Sequence, residues 1–87
     1  MGSLLRKYKE FLGRVLVNLY ATTTPSDIQT ETLYFLSLID KSQIREEWII
    51  NLERGQEKDG GFSGEDEVMR AHHTALALLT LYNYYNL

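Results

Sequence analysis

The segment "QEKDGGFSG", residues 56–64, concentrates residue types that could bind a small ligand. Glycines can bring backbone N–H groups close to a phosphate, and Asp59 could begin a calcium loop. No predicted strand precedes the segment, and neither of the known phosphate-binding glycine strings is present. The twelfth position of a calcium loop would be Arg70, where a bidentate glutamate is needed. The residues therefore favour a turn in which Asp-Gly-Gly tolerates positive φ and Phe62 folds back between two helices.

Histidines and carboxylates are the other residues that could do chemistry. His72 and His73 are the two histidines of the chain, and there is no cysteine to join them in a zinc site. A catalytic zinc needs three protein ligands and an open position, which one histidine does not supply. The carboxylates of "GEDEVM", residues 64–69, could provide a general acid. They stand at a predicted helix start, where complementing the helix dipole explains them better. No catalytic residue is predicted.

Length and composition indicate one ordinary globular domain. The chain has 87 residues, is 44% apolar, and carries 9 basic and 12 acidic side chains. Residues 1–20 hold four basic side chains and one acid, so a basic helix is expected on an acidic body. This balance argues against nucleic-acid binding, and no stretch is long and apolar enough to span a membrane. Without cysteines to indicate an oxidising compartment, we expect a cytoplasmic protein.

The spacing of apolar residues predicts four helices and no strand, hence an all-α fold. The predicted helices cover 3–20, 25–39, 43–54 and 64–85. The first is amphipathic, and the third has an apolar face with Ile44, Trp48, Ile49 and Leu52. The second and fourth become apolar nearly all round, which indicates helices covered on several sides. The apolar face of the first helix comprises Leu4, Tyr8, Phe11, Val15 and Leu19, flanked by Leu5, Leu12 and Leu16.

Capping residues predict where these helices begin and end. Thr24, Pro25 and Asp27 form a capping box for the second helix, and Asp40 or Ser42 is expected to cap the third. The remaining predicted caps are Gly55 after the third helix, and Ser63 with Asp66 before the fourth. Gln56, just past the third helix, is expected to hydrogen-bond free backbone groups at that helix end.

The order of the helices indicates a repeat. An amphipathic helix precedes a nearly all-apolar one twice, and "TLYFLSL" at 32–38 resembles "TALALLT" at 74–80, forty-two residues later. This offset lies in the range of helical-hairpin repeats. We therefore predict two hairpins within the domain, residues 1–40 and 41–87, with an outer amphipathic layer around an inner apolar layer.

Residues 38–82 resemble one repeat of the α/α-toroid proteins, which include protein prenyltransferase β subunits and the squalene and oxidosqualene cyclases. Gln56, Gly60 and Phe62 match the Gln-x-x-x-Gly-x-aromatic signature of these repeats, and Gly61 stands beside them. The resemblance implies a structural role for the glutamine and the aromatic residue. It is strong over residues 43–82 and weak over residues 1–25. Residues 26–40 resemble the inner helix of a preceding repeat, so residues 1–40 would form a degenerate first repeat.

The resemblance also implies candidate binding residues. His73 would match a zinc-binding histidine of prenyltransferase β subunits, but the cysteine and the Asp-x-Asp-Cys stretch that complete that site have no counterpart. We therefore expect no cofactor, with zinc at His73 as the alternative. Aromatic side chains could line an apolar cavity that holds an isoprenoid or another apolar ligand, although aromatics at helical spacing also form cores. The candidates for this cavity are Tyr34, Phe35, Trp48 and Tyr82.

Two hairpins cannot close a toroid, because the rings of that family need several times this length. The open ends of an incomplete ring would expose apolar surface, so we expect a homo-oligomer or a larger helical partner subunit. Three functions remain open. The first is a non-catalytic binding or assembly module, and the second is a subunit of a prenyl-transfer or isoprenoid-cyclising enzyme completed by another chain. The third is an unrelated four-helix bundle.

Overall fold

The structure is a computed structural model that describes the backbone of residues 2–22 and 26–86 and the side chains of residues 6–22 and 28–86. Four α-helices occur within this part of the chain: α1 (Gly2–Thr22), α2 (Ser26–Ile39), α3 (Glu46–Arg54) and α4 (Glu67–Tyr85). A 3₁₀ turn, Lys41–Gln43, lies between α2 and α3. No strand is present among the described residues, which confirms the predicted all-α class.

Helix α2 lies at the centre of the molecule. Its most extensive contacts are with α1 on one side and α4 on the other. The two helices predicted to be apolar nearly all round, α2 and α4, therefore pack against each other. The amphipathic helices α1 and α3 meet through Tyr20 and Trp48, whose ring centroids are 4.4 Å apart.

The core forms where α2, α3, α4 and the loop before α4 converge. Phe62, from that loop, is only 1% exposed and is among the largest fully buried side chains. The predicted apolar face of α3 is buried as expected. The buried hydrophobic cluster comprises Leu33, Leu36, Ile44, Trp48, Ile49, Leu52, Phe62 and Ala77. Leu16, Val17 and Tyr20 of α1, with Leu81 and Tyr84 of α4, pack around its edge.

The start of α3 differs from the prediction. The Asp40 carboxylate accepts hydrogen bonds from the Ser42 hydroxyl at 2.5 Å and from the Gln43 side chain at 3.2 Å. These bonds lower the pKa of Asp40 and accompany the 3₁₀ turn. Neither Asp40 nor Ser42 caps α3, because the N-cap is Arg45, which makes no side-chain capping bond. The helix consequently starts at Glu46, three residues later than predicted.

The caps around the loop are partly as predicted. Gly55 is the C-cap of α3, with an ordinary right-handed φ of −79°. The N-cap of α4 is Asp66, whose carboxylate accepts from the Met69 backbone N–H at 2.8 Å. Ser63 was therefore the wrong cap, and α4 begins at Glu67 rather than residue 64. The proposed capping residues Thr24 and Pro25, and the side chain of Asp27, lie outside what the structure describes.

Helix α1 packs through a different face from its large apolar stripe. Gly13 is buried beside the Gln43 side chain, and Leu16, Val17 and Tyr20 share that face with it. The residues on the other side form an exposed row that we call the α1 stripe. It consists of Tyr8, Phe11, Leu12, Val15 and Leu19, which are 42–61% exposed. The periodicity predicted an amphipathic helix correctly, but the large apolar face is not the buried one.

Candidate functional site

The loop between α3 and α4 is a compact turn held by its own backbone. Glu57 N–H donates to the Gly61 carbonyl at 2.7 Å, and Gly60 N–H donates to the Glu57 carbonyl at 2.9 Å. Gly60 has a φ of +91°, a conformation that side-chain-bearing residues rarely adopt. The glycine at this position is therefore explained by backbone geometry, as the turn interpretation of the sequence expected.

Gln56 closes this turn from the side. Its Nε2 donates to the Gly60 carbonyl at 2.8 Å. Its backbone N–H also donates to the Glu53 carbonyl at 3.1 Å, which is the bond to the end of α3 that the sequence predicted. The side chain binds a carbonyl inside the loop. A glutamine four residues before Gly60 fixes the loop without reaching into the core, and Gln56 itself remains exposed. This position suits a structural residue.

Phe62 anchors the loop to α4 and to the core. Its backbone N–H donates to the Thr74 hydroxyl at 2.8 Å, and its side chain is 1% exposed. The ring lies 5.6 Å from the imidazole of His73. Phe62 therefore fills space between the loop and the helices, in the position that the sequence predicted for an apolar plug.

Arg70 clamps the outer side of the loop. Its guanidinium donates to both oxygens of Asp59, at 2.6 and 2.7 Å, and to Glu57 at 3.2 Å. Gly61 lies directly beneath the guanidinium, so that a Cβ at this position would meet it. The Gly61 N–H bond and the Arg70 charge together hold the pKa of Asp59 below its usual value, and these carboxylates raise the pKa of Arg70. The polar groups that suggested a ligand loop are therefore engaged within the protein: Asp59 accepts from Gly61 N–H and Arg70, and Glu57 accepts from Arg70.

His73 joins the loop to α2. It is 4% exposed, its Nδ1 lies 2.7 Å from the Ser63 carbonyl, and its Nε2 lies 2.8 Å from the Thr30 hydroxyl. Because a carbonyl can only accept, Nδ1 carries the proton, and in the neutral ring Nε2 accepts from Thr30. Both ring nitrogens are thus engaged by protein atoms. Within the described part of the chain, no three His, Cys, Asp or Glu side chains are placed to hold a metal ion.

A small cavity lies beside this histidine. It has a volume of about 170 Å³ and is bordered by Tyr20, Thr30, Leu33, Leu52, Phe62 and His73, among others. Burial, with a smaller contribution from the Glu47 charge, raises the pKa of Tyr20. Ligand pockets usually begin at about 300 Å³, so the cavity is too small for a typical organic ligand.

The four aromatic residues predicted to line an apolar cavity do not border this one. Trp48 is buried against Tyr20, with the Arg45 guanidinium 5.6 Å from the centre of its ring. Phe35 is 45% exposed on α2 beside Tyr34, and Tyr82 is exposed on α4. The structure therefore places these side chains in different environments: one in the core and the others toward the surface.

Two further features lie on the molecular surface. One is the α1 stripe. The other, which we call the α4 groove, is an open depression of about 810 Å³ between the glycine loop and α4. Its lining combines polar residues with small and apolar ones. The polar residues are Gln56, Asp59, Glu67, Arg70 and Thr74, and the small and apolar ones are Gly60, Gly61, Ala71, Ala75 and Leu78. The alanines recur at helical spacing in the sequence, but only the folded loop supplies the second wall.

Comparison with known proteins gives no match, whether the chain is compared with protein-family models, curated proteins or solved structures. Across residues 2–22 and 26–86, none of the helices has both the length and the apolar composition of a membrane span. The residues that carry the toroid resemblance, Gln56, Gly60 and Phe62, serve as a loop closure, a turn and a core anchor. Their roles are structural in this fold.

Proposed function

We propose that this protein is a non-catalytic assembly module, built from toroid-like helical hairpins, that associates with further copies of itself. The observation that carries the proposal is the α1 stripe, a continuous apolar row on a helix whose opposite face is the packed one. Contiguous apolar surface of this kind usually marks an interaction site. Helices α2 and α4 add further exposed apolar residues, including Phe35 and Leu38 on α2 and Leu78 and Leu79 on α4.

The total surface supports the same conclusion. The chain exposes 6149 Å², whereas a folded monomer of its mass should expose about 5,300 Å². The excess is close to the roughly 800 Å² that each partner buries in a standard protein interface. One interface per chain would therefore bring the exposed surface to the level expected of a compact protein.

Charge favours a second copy of this chain as the partner. Residues 6–14 of α1 hold four basic side chains and one acid, while residues 56–70 hold five acids and two basic side chains. Both segments belong to every copy, so each molecule carries a basic and an acidic surface. Complementary charges of this kind speed association and select the partner.

The layer order supports the toroid-like description. Helix α1 packs on α2 as in a first outer and inner pair, α2 and α4 pack together as two inner helices, and α1 meets α3 through Tyr20 and Trp48. Support for the alternative, a subunit of an isoprenoid enzyme, is weaker. The cavity beside His73 is small, and both nitrogens of that histidine bond to protein atoms.

Sedimentation and light scattering across a concentration series test the proposal. We expect the wild-type chain to form oligomers, and Phe11→Asp to weaken association by at least about tenfold, since burying a phenylalanine contributes about 1.5–3 kcal/mol. Asn51→Asp, which adds the same charge at an exposed polar position of α3 away from the stripe, is the matched control and should assemble normally. A wild-type chain that stays monomeric at every concentration would rule out self-association.

A further inference from the structure

The α4 groove is shaped to receive a helix. Ala71, Ala75 and Leu78 recur along one side of α4, and Gly60 and Gly61 form the opposite wall. The small side chains of Ala71 and Ala75 let another helix approach α4 closely, while the loop wall, where Arg70 covers Gly61, bounds the depression on the other side. Ala71 and Ala75 are exposed, and Leu78 is 45% exposed, so this space is open on the molecular surface.

The α1 stripe has the matching form. It presents two aromatic and three aliphatic side chains, which supply the bulk that the groove lacks. From Tyr8 to Leu19 the stripe runs for about 17 Å along α1, and from Glu67 to Leu78 the groove runs for about the same length of α4. Within one molecule the stripe residues are exposed and the groove is open, so the stripe does not fill the groove of its own chain.

Charge decides how two copies would be paired. Among the described residues that line the groove, the acids Asp59 and Glu67 outnumber the cation Arg70, which is paired with Asp59 and with Glu57 outside the lining, so the groove is net acidic. Lys7 and Arg14 are exposed on the helix that carries the stripe. Stripe against stripe would bring like basic charges together, and groove against groove would bring like acidic charges together. Stripe against groove brings opposite charges together, which is the favourable pairing.

We infer that the α1 stripe of one copy docks in the α4 groove of the next, so that the chain assembles head to tail. The inference rests on the proposed self-association and specifies its interface. A contact between two different surfaces is heterologous, and it continues from copy to copy until the assembly closes into a ring or grows as a filament. Each copy would add one hairpin pair to a continuous helical stack.

Two variants that block opposite surfaces test the pairing. Phe11→Asp blocks the stripe, and Ala75→Arg places a long cation in the groove, where it should repel the basic helix. Because like charges brought together oppose docking, and Phe11→Asp also loses the apolar contact of the ring, each variant alone should associate at least about tenfold more weakly than wild type. His72→Arg, which adds the same charge at an exposed position of α4 outside the groove lining, should assemble as wild type does.

Mixing the two blocked variants in equal amounts gives the decisive result. The intact stripe of Ala75→Arg should dock in the intact groove of Phe11→Asp, which yields a heterodimer of two chains and nothing larger by light scattering. A mixture that remains monomeric, or normal assembly of Ala75→Arg, would overturn the head-to-tail pairing. If the wild type itself is monomeric, the proposed self-association fails instead.

Circular dichroism melts establish folding of each variant, and Leu78→Lys replaces Ala75→Arg if the latter does not fold.

Discussion

Different interactions hold the segment from α3 to α4 and helix α1 in the fold. The first is fixed by hydrogen bonds of defined direction: Phe62 to Thr74, His73 to Ser63, and Arg70 to Asp59. Helix α1 packs on its neighbours through the face that carries Gly13 and Tyr20, and its large apolar stripe faces outward. The contrast indicates that the first region sets the shape of the monomer, while the large apolar side chains of the second remain exposed.

The same substitution in both regions should give the largest difference. Phe62→Ala removes a ring that is 1% exposed, and we expect a loss of about 3–5 kcal/mol of unfolding free energy from the lost burial and the remaining cavity. Phe11→Ala removes a ring that is 57% exposed, so the monomer should change by about 0.5 kcal/mol or less. Urea unfolding at low protein concentration measures both.

Repeating both unfolding measurements at high protein concentration also tests association. At high protein concentration Phe11→Ala should also lower the apparent stability, because association that favours the folded state is weakened. Phe62→Leu, which keeps most of the volume, is the milder variant if Phe62→Ala does not fold, and should cost about 1.5 kcal/mol or less. Equal costs for the two alanine variants at low concentration would contradict the division between a shape-setting region and a partner-facing region.

The second prediction concerns the bond that joins α2 to the loop region. Thr30→Val keeps the side-chain shape but removes the hydroxyl that lies 2.8 Å from His73 Nε2. A buried nitrogen that loses its partner costs about 1–3 kcal/mol, and we expect that loss in urea unfolding. Thr32→Val is the matched control, because Thr32 is equally buried on α2 and donates to the Ile28 carbonyl of its own helix.

The control should cost less, because the Ile28 carbonyl stands four residues before Thr32 and is positioned to keep a backbone helix bond. The difference between the two variants therefore isolates the contact between α2 and His73. If Thr30→Val and Thr32→Val are equally destabilised, the Thr30 hydroxyl is not what satisfies the histidine, and the joint between the two regions must lie elsewhere.

The first and third helices were predictable because their apolar residues recur at helical spacing, and the second and fourth because they are long apolar segments without strand-like alternation. The turn at Gly60 was predictable because glycine suits a positive φ. The exact helix starts were not. Ser63 and Asp66 are both good capping residues, and the Ser63 carbonyl instead receives the bond from His73. That choice depends on packing of the loop against α4, which local sequence does not contain.

In the candidate site, local features of the loop were predictable from the sequence, but contacts between distant residues were not. The turn interpretation of Asp-Gly-Gly, with Phe62 as an apolar plug, agrees with the positive φ of Gly60 and the burial of Phe62. The partner of His73 is Thr30, forty-three residues earlier, and a single sequence offers no signal for so distant a pair. Likewise, periodicity identified the apolar face of α1, but it does not tell whether that face meets the core or a partner.

The smallest predicted effect concerns the clamp on the outer side of the loop. Asp59→Asn keeps an oxygen that can accept the Gly61 N–H but removes the charge that pairs with Arg70. The pKa of Asp59 is lower in the folded state than its usual value, so the ionised carboxylate stabilises the fold above the unfolded-state pKa. This stabilisation is lost as the pH falls through the lower, folded-state pKa.

Wild type should therefore be slightly more stable than Asp59→Asn at neutral pH, and the difference should disappear at a pH well below about 3.9, the usual pKa of an aspartate. Because the pair is exposed, added salt should also shrink the difference at neutral pH. Glu65→Gln, which removes another exposed carboxylate near the start of α4, is the matched control. A gap between wild type and Asp59→Asn that persists at low pH would show that the carboxylate acts through its shape and not through its charge. In that case the geometry of the turn would hold the loop without the ionic clamp.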